Sequence, residues 1–265
     1  MVNADDFGFT PDVNLGIAEA HRRGIVTAAT MMANGDAFED AVRLARETPA
    51  LDVGCHLVLL GGRSLLTGQP YPATAMQLLR ALARRELRLY EELAAQMRRV
   101  IVSGIRPTHI DTHKHTHLAP PVLEAVARVA RDFDVRWVRR PFDFPMRAPG
   151  RTRWRVRAAS RSFGLLRGRF HRVLAAYGRC AVDHFAGFGL TGRLDAAALA
   201  ALAAALPDGC TELMCHPGTC GAALRSAATR LKESRERELA ALTAPETRAA
   251  LERHSIELVS FRELG

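Results

Sequence analysis

The sequence predicts a single α/β domain of barrel type, and three observations carry that expectation. Short β-rich runs alternate with longer helical patterns along the chain. The strand candidates are mostly apolar, as strands covered by helices must be. Roughly seven β/α units fit the length, which suits a barrel better than a small layered domain. A doubly wound open sheet is the rival architecture. No G-x-G-x-x-G or G-x-x-x-x-G-K-[ST] follows any strand, however, so nucleotide chemistry lacks its usual anchor.

The elements follow in order. A short first strand leads into "NADDFG" (3–8). Thr10 before Pro11 opens a helix and Gly24 closes it, giving about residues 10–23. "IVTAATMM" (25–32), "DVGCHLVLL" (52–60), "THIDT" (108–112), "VRWVRR" (135–140), "CTELMC" (210–215) and "IELVSF" (256–261) read as strands. Pro120 and Pro121 open the helix "VLEAVARVARDF", residues 194–206 form an alanine-rich helix, and "TAPE" (243–246) reads as a capping box before "TRAALERH". No tandem repeat or linker divides the chain, so residues 1–265 read as one domain. The least periodic region, about 145–192, reads as an insertion or lid.

Composition narrows the class. At 48% hydrophobic and 25% charged the 265 residues can bury a full core, which argues against disorder. No run approaches the roughly 18 apolar residues of a membrane span, and Asp5 and Asp6 stand where a signal peptide needs basic then apolar residues, so a cytoplasmic protein is expected. Five scattered cysteines without a C-x-x-C indicate neither a disulfide framework nor a cysteine zinc site. The net charge of +9 would suit nucleic acid or an anionic membrane, but nearly all of it is arginine; only Lys114 and Lys232 are lysines. Between 147 and 179 there are ten arginines and no acidic residue, interleaved with Trp154, Phe163, Leu165, Leu166, Phe170 and Leu174. That stretch reads as a solvated face or a patch for a membrane surface or lipid substrate, ahead of nucleic acid.

In parallel α/β architectures function collects at the C-terminal ends of the strands. This rule selects "NADDFG", His56, the run "HIDTHKHTH" (109–117) and His216 in "CHPG". Adjacent Asp5 and Asp6 point to opposite sides if the backbone is extended, so one can ligate a cation while the other stays free as a base. In "HIDTHKHTH", His109, Asp111, His113, His115 and His117 alternate, yet a strand rises roughly 3.3 Å per residue, so no single ion holds them all. If the strand ends near Thr112, His113 is the residue over the rim. His113, His56 and Asp6 then make a facial His, His, Asp set for a metal such as zinc. Asp111 and His109 lie at or below the rim and support the ligands; His115 and His117 touch substrate or cap the loop. His216 can deliver a proton to a leaving nitrogen, and Arg139 or Arg140, with Arg139 favoured, can hold a carboxylate base or an oxyanion.

Taken together and in this order, "NADDFG", "GIVTAATMM", "GCHLVL", "HIDTHKHTH" and "ELMCHPG" resemble the YdjC-like carbohydrate deacetylase family across nearly the whole chain. The resemblance implies a distorted (β/α) barrel of the polysaccharide deacetylase kind and metal-dependent removal of the N-acetyl group from an N-acetylglucosamine-type sugar. It implies Asp5 as catalytic base, Asp6, His56 and His113 as metal ligands, and His216 as general acid. Ligand type favours zinc over the magnesium also described for the family. "HKHTH" with Lys114 is closer to the hopanoid-biosynthesis branch than to the chitooligosaccharide branch, which points to a glycolipid substrate and to peripheral contact with the inner face of the membrane through 147–179. The rival functions are chitooligosaccharide deacetylation, hydrolysis of another amide or a phosphoester on the same barrel, and metal or membrane binding without catalysis. One departure stands out: only Met1 and Val2 precede Asn3, so the strand carrying Asp5 and Asp6 is expected to be abnormally short.

Overall fold

A computed structural model describes residues 1–144 and 166–264. Seven strands, all parallel to their neighbours, form one sheet: β1 Val2–Phe7, β2 Ala28–Met31, β3 Asp52–Leu57, β4 His109–Thr112, β5 Trp137–Val138, β6 His184–Ala186 and β7 Thr211–Cys215. Their order across the sheet is β5-β4-β3-β2-β1-β7-β6. The two edges then meet, because Asp143 pairs in parallel with Phe185 and the Phe144 N–H donates to the Phe185 carbonyl at 2.9 Å. The result is the distorted β/α barrel expected from the alternation of elements. The first strand is not curtailed: it has six residues, all buried, and lies inside the sheet between β2 and β7.

The helices cover the outside. In chain order they are α1 Pro11–Arg23, α2 Phe38–Glu47, α3 Ala75–Ala83, α4 Leu89–Val102, α5 Pro120–Asp132, α6 Arg167–Ala176, α7 Ala196–Ala203, α8 Ala222–Ser226, α9 Glu233–Thr243 and α10 Pro245–Arg253. Helix α1 starts as its sequence dictates: the Thr10 hydroxyl accepts the Val13 N–H and Pro11 occupies the first turn, where no N–H is needed. Its Gly16 abuts the "CHPG" turn so closely that a Cβ there would lie 2.3 Å from Gly218 Cα. The apolar core lies between the strands and these helices, with Ile17, Leu57, Leu93, Met97 and Ile110 fully buried.

Two expected elements are absent. The capping box at 243–246 does not form, because Thr243 ends α9 and its hydroxyl donates back to the Leu239 carbonyl at 2.9 Å; Ala244 caps α10 without a side-chain bond. "IELVSF" is not a strand. Closure of the barrel leaves it no edge to join, and it crosses the N-terminal end instead, where the Thr27 hydroxyl donates to the Val259 carbonyl and Phe261 stacks on His109 at 3.9 Å.

Residues 145–165 of the expected basic insertion, with Trp154, Phe163 and Leu165, lie outside the described residues. In the described part, Phe170 and Leu174 face the core rather than solvent, which removes them from any lipid-facing surface. Among the described residues no helix is long and apolar enough to cross a membrane.

Candidate functional site

Polar side chains fill the barrel lumen. His109 Nε2 donates to Asn3 Oδ1 at 2.9 Å, and since β2 and β3 separate those two strands, the bond can only span the lumen. Asn3 in turn donates to Asp5 Oδ1 at 3.2 Å. Above this layer sits Arg139, just past β5 and 2% exposed. Its guanidinium grips Asp5 through two bonds of 2.7 Å, Asp111 at 2.6 Å and Glu212 at 2.7 Å. Arg140, by contrast, turns away to the Asp183 carbonyl. Of the two arginines, Arg139 is the one that faces Asp5.

At the C-terminal rim the chain departs from extended geometry. Asp6 has φ 71° and the β1–β2 register shifts between Ala4 and Phe7, so Asp5 and Asp6 do not point to opposite sides as an extended strand would require. Both carboxylates line the same cavity, of about 610 Å³, together with His56, His113, His115 and His216. A non-glycine residue at positive φ is strained, and such strain persists only where the surroundings enforce it. Here the enforcing contacts are Asn14, which accepts the Gly8 N–H at 2.6 Å, and Arg235, which donates to Asp6 Oδ2 at 2.5 Å.

The other oxygen of Asp6 faces two imidazoles. Oδ1 lies 3.0 Å from His113 Nδ1 and 3.4 Å from His56 Nε2, and these nitrogens are 3.3 Å apart. His56 Nδ1 is committed to Asp111 at 2.6 Å, which directs Nε2 at Asp6 and His113. Among the described residues, Asp6 Oδ1 is buried with no hydrogen-bond donor of good geometry. Ligand atoms about 2.1 Å from one ion sit roughly 3.0 Å apart at right angles and roughly 3.4 Å apart in a tetrahedron. The three separations fall in that window, so the residues present fit a metal ion and offer it two nitrogens and one oxygen.

Electrostatics follow from burial and charge. Burial pushes the Asp5 carboxyl up, but the Arg139 guanidinium outweighs it and holds Asp5 well below the usual carboxylate range. For Asp6, burial is outweighed in the same way, by Arg235 and then His113. Burial lowers His56, yet Asp111 and its hydrogen bond, with Asp6 and Asp5, raise it to about 10. His216, 3.9 Å from Asp5 through Nε2, is lowered to about 4 by burial against the raising influence of Asp5 and Asp6. Glu212 is pushed up to about 7 by burial, and Arg139 only partly offsets this.

The remaining histidines of "HIDTHKHTH" separate in space. His109 lies deep in the lumen, two bonds removed from Asp5, and is held neutral by burial. His117 Nε2 donates to the Arg139 carbonyl at 3.1 Å and its Nδ1 meets the Thr112 hydroxyl at 2.6 Å, so it fixes the backbone around Arg139 rather than the cavity. His115, in left-handed backbone beside Lys114, packs against Phe185 and Phe188, lines the cavity and has no partner at Nδ1. Several contributors escaped the sequence reading. Asn3 donates to Asp5, Glu212 accepts from Arg139 at 2.7 Å, Thr30 donates to Asp111 at 3.0 Å, Arg235 binds Asp6, and Glu238 accepts the His216 N–H at 2.6 Å. For the last two a signal existed: Arg235, Glu238, Leu239 and Leu242 share the buried stripe of α9, where charges are out of place.

Comparison with known proteins places this geometry. A carbohydrate deacetylase of Brevibacillus brevis is 34% identical over 273 residues, covering 100% of this chain and 99% of that protein. A carbohydrate deacetylase of Geobacillus stearothermophilus is 35% identical, covering 99% and 96%. A chitooligosaccharide deacetylase of Salmonella typhimurium is 41% identical over 137 residues, covering 49% and 54%. Among solved structures, an Enterococcus faecalis protein provisionally described as a cellobiose-phosphate cleavage protein matches with TM-score 0.78 and 25% identity, covering 100% of this chain and 98% of its own. A family model described as YdjC-like protein matches residues 1–253, and the chain belongs to that family.

Proposed function

We propose that the protein is a metal-dependent carbohydrate N-deacetylase that removes the acetyl group from an N-acetylglucosamine-type sugar. The convergence of Asp6 Oδ1, His56 Nε2 and His113 Nδ1 beside an ionised Asp5 is the observation that carries this reading. It is supported by the deacetylase activities named for the full-length relatives. Those three side chains would hold one divalent ion, zinc by ligand type, and the ion would polarise the acetamide carbonyl and make water more acidic.

The protein's own residues then divide the work. Arg139 fixes Asp5 in place and keeps it ionised, so that Asp5 can take a proton from the attacking water. His216 begins the cycle neutral, because burial holds it near 4. In this reading Asp5 passes the proton it takes from water on to His216, whose Nε2 lies 3.9 Å from Asp5 Oδ2, and His216 delivers it to the leaving nitrogen. Asp111 orients His56, and Thr30 and Arg139 orient Asp111. His115 and Lys114 line the cavity where the sugar would sit.

The test is acetate release by the zinc-loaded protein from N-acetylchitooligosaccharides and from N-acetylglucosamine linked to a lipid in vesicles. Release that a chelator abolishes and zinc restores is expected. A clear preference for the lipid-linked sugar would point to a glycolipid as the substrate. Phosphate release from sugar phosphates without acetate release would sink the proposal.

A further inference from the structure

Glu238 has no part in the chemistry so far, yet it is one of the most enclosed acids in the molecule, at 1% exposure. Each of its oxygens has one backbone partner. Oε2 accepts the His216 N–H at 2.6 Å, and Oε1 accepts the Gly192 N–H at 2.9 Å. His216 belongs to the turn after β7. Gly192 closes the segment after β6 that carries Phe188 and Thr191 into the cavity wall. One carboxylate thus ties together the two stretches that wall the cavity on this side.

The same helix turn holds the opposite side of the site. Arg235, three residues earlier and on the same face of α9, donates to Asp6, while its backbone carbonyl accepts the Gly218 N–H at 3.3 Å. Such a carboxylate is costly to bury, and burial does push it up to about 7, against the pull of its two backbone donors and Arg235. A buried carboxylate engaged by backbone N–H groups of two separate segments points to a role in geometry.

We propose that Glu238 is the positioning residue of His216, setting the imidazole against Asp5 and locking the segment ending at Gly192 to the same point. This rests on the reading of His216 as the proton donor. A glutamine cannot replace it, since its amide nitrogen would confront one of the two N–H donors. An aspartate keeps both acceptors on a shorter arm.

The zinc-loaded wild type, E238Q and E238D are compared on N-acetylchitooligosaccharides, with thermal melting of each. For E238Q, kcat is expected to fall roughly 10- to 100-fold with KM within about threefold, since small displacements of a catalytic group act on turnover. E238D is expected to recover part of the loss. An unchanged kcat, or a loss in KM alone, would overturn the proposal. Amide hydrogen exchange at His216 and Gly192 gives an arm independent of activity: exchange must accelerate in E238Q at whichever of the two amides meets the glutamine nitrogen, and unchanged protection at both overturns the proposal. If the wild type itself releases no acetate from any sugar, the deacetylase reading falls, and the exchange measurement still decides whether Glu238 fixes the two segments.

Discussion

Replacing Glu212 by glutamine should stabilise the protein at alkaline pH. Glu212 is fully buried and pairs with Arg139 through Oε1 at 2.7 Å, while among the described residues its Oε2 has no hydrogen-bond partner. Burial raises it from 4.5 to about 7. A carboxyl raised on folding contributes stability that is fully present below its unfolded value, near 4.5, and is lost as pH rises through about 7, because the folded state then has to give up a proton it holds more tightly than the unfolded chain. Each tenfold difference in proton affinity between the folded and unfolded chain corresponds to about 1.4 kcal/mol, so the loss by pH 8 is about 3 kcal/mol, with less than about 1 kcal/mol of it incurred by pH 5. Glutamine mimics the protonated acid and still accepts from Arg139 Nε, while Arg139 keeps Asp5 and Asp111 as counter-charges. Urea unfolding of E212Q and wild type at pH 5 and pH 8 reads this group, since the titration of groups remote from Glu212 cancels in the difference. E212Q should be nearly equal to wild type at pH 5 and more stable by about 2–3 kcal/mol at pH 8. A difference that does not change with pH, or an E212Q less stable at pH 8, would refute the reasoning.

Other perturbations separate the roles of neighbouring residues. D5N should retain zinc binding by calorimetry but lose on the order of 10²- to 10⁴-fold in kcat, whereas D6N should lose the zinc itself; the opposite pattern would exchange the roles of the two aspartates. D111N, which weakens the support of His56 Nδ1, should reduce zinc affinity about 10- to 100-fold in a competition titration with a chelator. G16A should cost about 1–3 kcal/mol in urea unfolding, because the added methyl meets the Gly218 backbone and has no flexible side chain to displace. The same variant should lower deacetylation through the displaced His216 turn.

Much of the architecture was legible in the chain because parallel strands announce themselves as apolar runs between capped helices, as β3 and α1 do. The strand-end rule then reduced four histidines and an aspartate to one metal-ligand candidate at the rim, His113, with Asp111 and His109 below it. What escaped depends on tertiary closure. "IELVSF" has the composition of a strand, but composition cannot reveal that the barrel has already joined its own edges at Asp143 and Phe185. The positive φ of Asp6 is invisible to any alternation argument, since it is imposed by Asn14 and Arg235 from elsewhere in the chain. Arg235 and Glu238 were readable as misplaced charges on the buried face of α9, although only the fold says what they meet.

The lumen makes little sense as a device for stability. Arg139 is surrounded by Asp5, Asp111 and Glu212, an excess of negative charge; burial, aided by Asp111 and Asp5, raises Glu212, and among the described residues its Oε2 has no hydrogen-bond partner. Apolar residues of similar volume are often neutral or stabilising in place of such buried ions. The arrangement does, however, solve a geometric problem. One guanidinium holds Asp5 and Asp111 at once, and Asp111 in turn fixes His56. Asp5 on β1, Asp111 on β4 and, through Asp111, His56 on β3 are thereby held to a single rigid reference. A lysine at 139 would supply the charge but not the fork that spans both carboxylates. R139K should therefore lose more activity than stability: deacetylation should fall at least roughly 10-fold while the unfolding midpoint in urea moves little, since the charge remains to compensate the buried acids. An R139K that retains full activity would mean that charge alone, and not the bidentate geometry, sets the site.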